Sequence, residues 1–255
     1  METDEKRSGL DRSLCIVLRA VPYSEADVIL ALFSRDLGEI SARAYGARSL
    51  KSPLRAACQP FCLAEFEFYI RSGRYSLRAA YIRSEFFGIQ NSYPKYACAC
   101  TVLELTERML PGISDDKQER ESLFTLLAVF LQTLDRDPGD PMYLLLFFFT
   151  RAVHMLGVFP SLDTCVICGS PVGRSDAWSW SDGGAVCAAC AGSMETEQLP
   201  SHVLQCLATF GRRQPGSAAD RATNRNTVLE TLQALQTVLL HQTGISVRAA
   251  QLLGQ

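Results

Sequence analysis

Four cysteines in two C-x-x-C pairs constrain this chain more than any other feature of its sequence. It reads C-V-I-C at Cys165 and Cys168, continues for eighteen residues, and then reads C-A-A-C at Cys187 and Cys190. This spacing is typical of a tetrahedral zinc site, because each turn presents two sulfurs to one cation. Four thiolates leave no coordination position for a reactive water. We therefore predict one structural Zn²⁺, which helps a segment without a core of its own to fold.

The segment between the two cysteine pairs predicts a zinc ribbon over residues 161–192. Its middle, Trp178–Val186, has the pattern of two short strands joined at Gly183 and Gly184. The alternative is a pair of redox-active C-x-x-C motifs, as in thioredoxin-like proteins. The surroundings lack the βαβ pattern that such motifs have, so we favour the metal site.

Residues 12–85 have the pattern of a β domain. In Phe61–Ile70, apolar residues alternate with Glu65 and Glu67, as expected of a strand with one buried face. The pattern predicts a small closed barrel and does not by itself separate an OB-fold from an SH3-like barrel. We expect an OB-fold, the common five-stranded barrel. The five predicted strands are Leu14–Val21, Ala26–Phe33, Gly38–Tyr45, Phe61–Ile70 and Tyr75–Ile82.

The remainder of the chain has helical periodicity, so the predicted fold class is α+β and multidomain. We expect a mainly helical C-terminal domain, with a first part at 91–160, the inserted ribbon, and a second part at 196–255. Residues 1–11 are expected to form an N-terminal tail. The apolar run Met142–Phe149 is too short for a membrane span. The predicted helices are Tyr96–Leu110, Glu119–Leu134, one between a cap at Asp140 and an end at Gly157, Ser201–Phe210, and one from a cap at Asn226 to Thr243.

The charge of the chain is unevenly distributed. The net charge is −2, but residues 12–83 carry eleven Arg and Lys against six Asp and Glu, so the rest sums to −7. A basic N-terminal domain on an acidic remainder indicates an acidic partner such as nucleic acid. The first residues are polar, and six of the ten cysteines follow no pattern. We therefore predict a reducing compartment, the cytoplasm.

A basic stretch in the β domain is the candidate nucleic-acid site. Arg43, Arg48, Lys51 and Arg55 lie in the irregular segment S-A-R-A-Y-G-A-R-S-L-K-S-P-L-R. On an OB barrel, such cations follow phosphates while aromatic rings stack on bases. The alternative is an ordinary solvated basic face with its aromatic residues in the core. The interleaved tyrosines are Tyr45, Tyr69, Tyr75 and Tyr81.

No set of residues in the sequence indicates catalysis. His154, His202 and His241 are widely separated and fall in predicted helices, and no nucleotide-binding or hydrolase motif is present. An enzyme with a nucleophilic Cys58 or Cys62 ranks last, because no histidine is placed to activate either thiol. We predict a protein that is not an enzyme.

The order of parts and several stretches resemble the RecO family of bacterial recombination mediators over residues 12–253. The opening strands, V-L-R-A-V-P-Y-S-E-A-D-V-I-L-A-L-F-S-R-D-L-G, are similar to those of the family. So are the basic loop, A-R-A-Y-G-A-R-S-L-K-S, and the entry to the cysteines, L-G-V-F-P-S-L-D-T-C-V-I-C-G.

This resemblance implies a non-enzymatic role in DNA repair and homologous recombination. Proteins of the family bind single- and double-stranded DNA, anneal complementary strands, and act with RecR to load RecA onto DNA coated by single-strand-binding protein (SSB). They also contact the C-terminal tail of SSB. By position, Arg43, Arg48, Lys51 and Arg55 become the expected DNA contacts, with Arg19 behind them, and the four cysteines match the zinc ligands. The implied location is the bacterial cytoplasm, at the nucleoid and not at a membrane.

A second function stays open on the sequence. A zinc-ribbon transcription or assembly factor whose barrel binds protein would have the same order of parts. It would depend on a protein partner and would not anneal complementary strands.

Overall fold

The structure is a computed structural model and describes residues 9–113, 116–173, 177–212 and 223–254. The chain divides by its internal contacts into two compact units. The first comprises Met1–Asp137 with Gln251–Gln255, and the second comprises Pro138–Ala250. The domain boundaries expected from the sequence stay predictions.

A closed five-stranded barrel forms the beginning of the first unit. The strands follow one another around the barrel in the order β1-β2-β3-β5-β4, and β4 pairs back with β1. Only the β3–β5 pair among these strands is parallel. This strand order is that of the OB-fold. The predicted fold is therefore confirmed, and the SH3-like barrel is excluded. The strands are β1 (Gly9–Pro22), β2 (Val28–Ser34), β3 (Gly38–Ala44), β4 (Leu63–Arg71) and β5 (Arg74–Ser84).

Strand β1 is longer than the sequence predicted. It begins at Gly9, whereas the expected strand begins at Leu14, and the added residues pair with β4 from Phe66 to Ile70. The segment G-L-D-R-S has no apolar alternation because several of its side chains face solvent. Main-chain pairing with β4, which the pattern of side chains does not report, extends the strand.

The barrel core follows the predicted alternation of β4. Ala64, Phe66, Phe68 and Ile70 point inward and are buried, whereas the glutamates between them lie on the outer face. Burying Phe66 and Phe68 stabilises the barrel by roughly 1.5–3 kcal/mol each. The core thus rests on the strand whose pattern is clearest in the sequence.

The described part of the first unit also contains three α-helices: α1 (Phe87–Gln90), α2 (Tyr93–Met109) and α3 (Lys117–Arg136). The side chain of Asp116 caps α3 by accepting a hydrogen bond from the N–H of Gln118 at 2.7 Å. Helix α2 packs against β1. Helix α3 packs against β2, where Phe124 meets Phe33 edge to face at 5.4 Å between ring centroids. The helices therefore cover part of the outer face of the barrel.

The second unit contains helices α4, α6 and α7, which pack against one another, together with the cysteine segment. Asp140 caps α4 as predicted, accepting from the N–H of Met142 at 3.0 Å. The cap of α7 is Asn224, which accepts from the N–H of Asn226 at 2.9 Å, so the predicted cap at Asn226 is wrong by two residues. The elements are α4 (Pro141–Met155), β6 (Ala177–Ser179), β7 (Gly184–Val186), α5 (Ala188–Ala191), α6 (Ser201–Arg212) and α7 (Arg225–Thr243).

None of the helices in the described ranges combines the length and the hydropathy that a membrane span requires.

The junction between α1 and α3 yields a stability prediction. A Cβ on Gly88 would lie 2.3 Å from the backbone oxygen of Asp135, so Gly88→Ala forces the two helices apart. Such overpacking typically costs about 1–3 kcal/mol. We expect a lower melting temperature for this variant in a thermal melt followed by circular dichroism. The matched control is Gly112→Ala, whose added Cβ meets no atom within 4 Å. Equal melting temperatures for the two variants would contradict this packing.

Candidate metal centre and nucleic-acid interface

The four cysteines of the two C-x-x-C pairs converge in the second unit. The sulfurs of Cys165, Cys168, Cys187 and Cys190 all lie within 4.8 Å of one another, and those of Cys168 and Cys187 are 3.7 Å apart. Four sulfurs bound tetrahedrally at about 2.3 Å from one ion lie about 3.8 Å apart. The observed cluster therefore fits a metal ion, and its donors are all sulfur.

Local backbone geometry places the sulfurs. The N–H of Cys165 donates to the carbonyl of Ser170 at 2.8 Å, and Gly169 turns the chain back with a φ of 73°. Cys187 directly precedes α5, and the N–H of Cys190 donates to its carbonyl at 3.0 Å. Each C-x-x-C pair is thus held in a tight turn that directs both sulfurs to one point.

The predicted hairpin connects the two turns. Strands β6 and β7 pair antiparallel, and the loop between them contains Gly183 with a φ of 79°. Gly184 lies against the chain at Ser161, where a Cβ would come within 2.6 Å of the carbonyl oxygen. Only a glycine permits this close approach, which brings the first cysteine pair alongside β7.

The surroundings of the cluster favour ionised sulfur at Cys165 and Cys168 and the protonated thiol at Cys190. The backbone N–H groups of Cys187 and Cys168 lower the pKa of the Cys165 thiol to about 6. Hydrogen bonds from Ser170 lower the pKa of Cys168. Hydrogen bonding with the other sulfurs raises the pKa of Cys190. A metal cation is bound through thiolates, so it would displace the protons that the metal-free cluster retains.

The metal centre predicts a selective loss on substitution. Cys165→Ser should reduce bound metal to trace levels and lower the melting temperature, since structural zinc sites supply about 10–16 kcal/mol to the folding of small metal-bound segments. Elemental analysis of the purified protein and a thermal melt measure the two effects. Cys100→Ser is the control, because Cys100 lies on α2, outside the cluster. Full metal content in the Cys165 variant would contradict the assignment.

The predicted basic residues of the first unit lie at one end of β3 and in the loop that follows it. Arg43 is on β3, whereas Arg48, Lys51 and Arg55 are in the β3–β4 loop, residues 45–62. Arg43 is the centre of a compact group, here named the Arg43 cluster, which consists of Tyr23, Asp27, Arg43 and Tyr45. Its guanidinium donates to the Asp27 carboxylate at 2.6 and 3.2 Å. It also lies 4.5 Å from the ring centroid of Tyr23 and 4.4 Å from that of Tyr45.

Asp27 ties the two loops of this region together. Its second carboxylate oxygen accepts from the backbone N–H of Gly46 at 2.9 Å. This bond and the one from Arg43 hold the pKa of Asp27 below its ordinary value. The β1–β2 loop, residues 23–27, is joined to the β3–β4 loop a second time, because Arg48 donates from its side chain to the carbonyl of Ser24 at 2.7 Å. The Arg43 cluster is therefore fixed before any ligand arrives.

Lys51 and Arg55 differ from Arg43 and Arg48, whose side chains are bound to the β1–β2 loop. Both side chains are exposed, and within the described residues neither makes an ion pair or a side-chain hydrogen bond. Cations that are exposed and not engaged by the protein suit phosphate contacts. The loop thus offers two free cations beside two that are held in place.

Arg19, the remaining predicted DNA contact, is engaged elsewhere. Its guanidinium makes a two-point ion pair with Glu107 of α2, at 2.8 and 3.1 Å to one carboxylate oxygen. The hydrogen bond that Arg19 donates to Glu107 raises the pKa of Arg19. The structure therefore joins Arg19 to a helix and gives it no bond to the basic loop.

The tyrosines divide into surface and core residues. Tyr45, Tyr69 and Tyr81 are exposed, as a stacking role requires. Tyr75 instead packs edge to face on Phe68 against the barrel core, at 5.7 Å, so the expectation for it is wrong. Sequence reasoning missed Tyr23, since it lies in the turn P-Y-S without a strand pattern. Its closeness to β3 follows from the pairing of β1 with β2 and of β2 with β3.

The buried cysteines of the barrel do not provide a nucleophile. Burial raises the pKa of Cys58 to about 11 and that of Cys62 to about 12. Both groups are therefore neutral thiols near pH 7, and thiols rather than thiolates are poor nucleophiles.

An OB barrel joined to a helical unit that contains a four-cysteine ribbon defines a class of multidomain OB-fold proteins. Family models described as recombination protein O N terminal and C terminal match residues 11–86 and 90–250. The chain is 32% identical to the DNA repair protein RecO of Anaeromyxobacter sp. (strain K) over 244 residues, which cover 94% of each chain. It is 30% identical to that of Listeria monocytogenes serotype 4b (strain CLIP80459), over 87% of this chain and 83% of the relative. The chain belongs to the RecO family of DNA repair proteins.

Proposed function

We propose that this protein binds single- and double-stranded DNA, anneals complementary strands, and helps to load RecA onto SSB-coated DNA together with RecR. The observation that carries the proposal is the Arg43 cluster beside the free cations Lys51 and Arg55. On OB-folds, the face of strands β2 and β3 together with the β1–β2 and β4–β5 loops forms the usual oligonucleotide surface. Arg43 on β3 and Tyr23 in the β1–β2 loop belong to that surface, and the basic β3–β4 loop follows β3 directly.

The chemistry of this surface suits strand annealing. Annealing breaks no covalent bond, but two phosphate chains must approach each other, and the cations that neutralise them release counterions to solvent. Exposed tyrosine rings can hold bases by stacking without reading their sequence. A surface with few free cations binds with modest affinity that falls as salt rises. Such binding lets two strands exchange and pair.

The ribbon contributes stability in this proposal. Zinc is the ion that four thiolates in a tetrahedron fit best among common protein metals. One Zn²⁺ at Cys165, Cys168, Cys187 and Cys190 would hold the turns and hairpin together. The cluster offers no open coordination position, so no chemical step involves it.

The protein partners of the proposal are RecR and the C-terminal tail of SSB. Both partners are expected from membership of the RecO family. A location in the bacterial cytoplasm, at the nucleoid, is part of the same proposal.

The basic loop predicts a salt dependence. Lys51→Ala with Arg55→Ala should weaken single-stranded DNA binding and reduce the slope of log affinity against log salt by about 1.4, because each lost phosphate contact removes about 0.7. Adding Arg43→Ala and Arg48→Ala should reduce the slope further. Fluorescence anisotropy with a labelled oligonucleotide at several salt concentrations measures it. Arg136→Ala, an exposed arginine at the end of α3, is the control. An unchanged slope removes the loop from the interface.

The annealing step has its own test. The protein should accelerate the pairing of complementary oligonucleotides, both free and coated with SSB, and the double variant of the loop should slow it. Fluorescence quenching between end-labelled strands reports the rate. If the protein does not anneal strands and binds a barrel-directed protein partner instead, the transcription or assembly factor is the better description.

A further inference from the structure

We propose that a single DNA strand leaves the Arg43 cluster across the outer face of β5, β4 and β1, along three stacked arginine–tyrosine pairs. The inference deepens the proposed function and rests on it. The three pairs are here named the Arg–Tyr strip: Arg43 with Tyr45, Arg78 with Tyr69, and Arg12 with Tyr81.

The pairs share one geometry. Each guanidinium carbon lies over a tyrosine ring, at 4.4 Å for Tyr45, 5.4 Å for Tyr69 and 4.7 Å for Tyr81. The three rings are between 47% and 55% exposed. A row of aromatic side chains that is this exposed to solvent usually marks a binding surface. Guanidinium planes and aromatic rings both stack on bases.

Strand register places the three pairs along one path. Arg43 of β3 is the partner of Ser76 on β5, and Ser76 is in turn the partner of Tyr69 on β4. On the next strand, Arg12 of β1 is the partner of Glu67 on β4. Adjacent strands are about 4.8 Å apart. Neighbouring pairs are therefore separated by short steps around the barrel, which a nucleotide chain can span.

Two β-bulges in β5 each insert an arginine into this face. Between Leu77 and Ala79 the extra residue is Arg78, and between Ile82 and Ser84 it is Arg83. Bulges re-aim side chains, and they are concentrated near functional sites. Arg78 is turned over Tyr69, and Arg83 donates to Glu65 at 2.8 Å. Within the described residues, Arg78 makes no ion pair.

The strip keeps a positive surplus despite its carboxylates. Arg12 and Arg83 share the single carboxylate of Glu65, at 2.9 and 2.8 Å. Glu67 accepts from the hydroxyl of Tyr81 at 3.3 Å and so fixes the ring. With Arg78 included, the three guanidiniums of Arg12, Arg78 and Arg83 outnumber the two carboxylates of Glu65 and Glu67 by one. The glutamates therefore orient the strip and leave one positive charge for a phosphate.

The usual OB route along β2 and β3 is closed at its far end by α3. Phe33, which points outward from β2, is buried against Phe124. At the β2–β3 turn, a Cβ on Gly38 would lie 3.4 Å from the side chain of Arg120 on α3. A strand that starts at the Arg43 cluster meets this helix on one side and the open Arg–Tyr strip on the other. The strip is the accessible continuation.

Two double variants test the path: Tyr69→Ala with Arg78→Ala, and Tyr81→Ala with Arg12→Ala. Binding of fluorescent oligo(dT) is measured at lengths from about 4 to about 16 nucleotides, the range that one OB fold covers. For the longer oligonucleotides we expect at least about fivefold weaker binding, from the lost stacking, and a salt slope smaller by about 0.7, from the lost arginine. The shortest oligonucleotides, which fit on the Arg43 cluster, should bind as they do to the parent protein.

The control is Arg35→Ala, an exposed arginine between β2 and β3 on the route that the proposal excludes. All variants should melt at the temperature of the parent protein, since the substituted side chains lie on the surface. If the parent protein binds DNA and both strip variants keep its affinity, its salt slope and its dependence on oligonucleotide length, the proposed path is overturned. Loss with Arg35→Ala instead would restore the β2–β3 route. Failure of the parent protein to bind DNA would overturn the proposed function and the path together.

Discussion

The closure of the barrel by β1 is the constraint on which the rest of the first unit depends. One half of this strand pairs with β4 from Gly9 to Ile16, and the other half pairs with β2 from Cys15 to Pro22. A closed barrel has no free edge, so every loop has a fixed position relative to the others. The pairing of β1 with β2, and of β2 with β3, brings Tyr23, which follows the end of β1, beside Arg43 on β3. Closure through β4 places Arg12 over Tyr81 of β5, two strands away around the barrel.

The two compact units have different tasks in this account. In the first, charge is arranged on rigid strands: Asp27 and Glu65 each hold an arginine at the surface with its guanidinium over an aromatic ring. In the second, four sulfurs converge in a segment whose described residues contain two short strands and a four-residue helix between the longer helices. In the proposed function, a metal ion bound by these sulfurs stabilises the second unit, and the barrel provides the surface for nucleic acid.

The sequence predicts those parts of the protein that depend on local patterns. Cysteine spacing is enough to locate the metal cluster, and strict alternation in Phe61–Ile70 is enough to locate β4. Contacts between distant segments leave no such pattern, so the pairing of Arg19 with Glu107 and the approach of Tyr23 to Arg43 could not be predicted. Bulges are also invisible in the sequence, because one inserted residue such as Arg78 resembles a normal strand position. Tyr75 was expected at the surface but packs against the barrel core. The sequence does not separate the two cases, because a tyrosine between basic residues has the same pattern whether it faces solvent or core.

Hydrogen–deuterium exchange of the intact protein with and without an oligo(dT) strand distinguishes a DNA surface on the barrel from one on the ribbon. We expect slower exchange in the β1–β2 loop, in the β3–β4 loop and at the β4–β5 turn when DNA binds. The ribbon, residues 161–192, should exchange at the same rate in both states, because in the proposed function its cysteines contribute only to stability. Slower exchange in the ribbon together with unchanged loops on the barrel would place the DNA surface on the ribbon and contradict the proposed function.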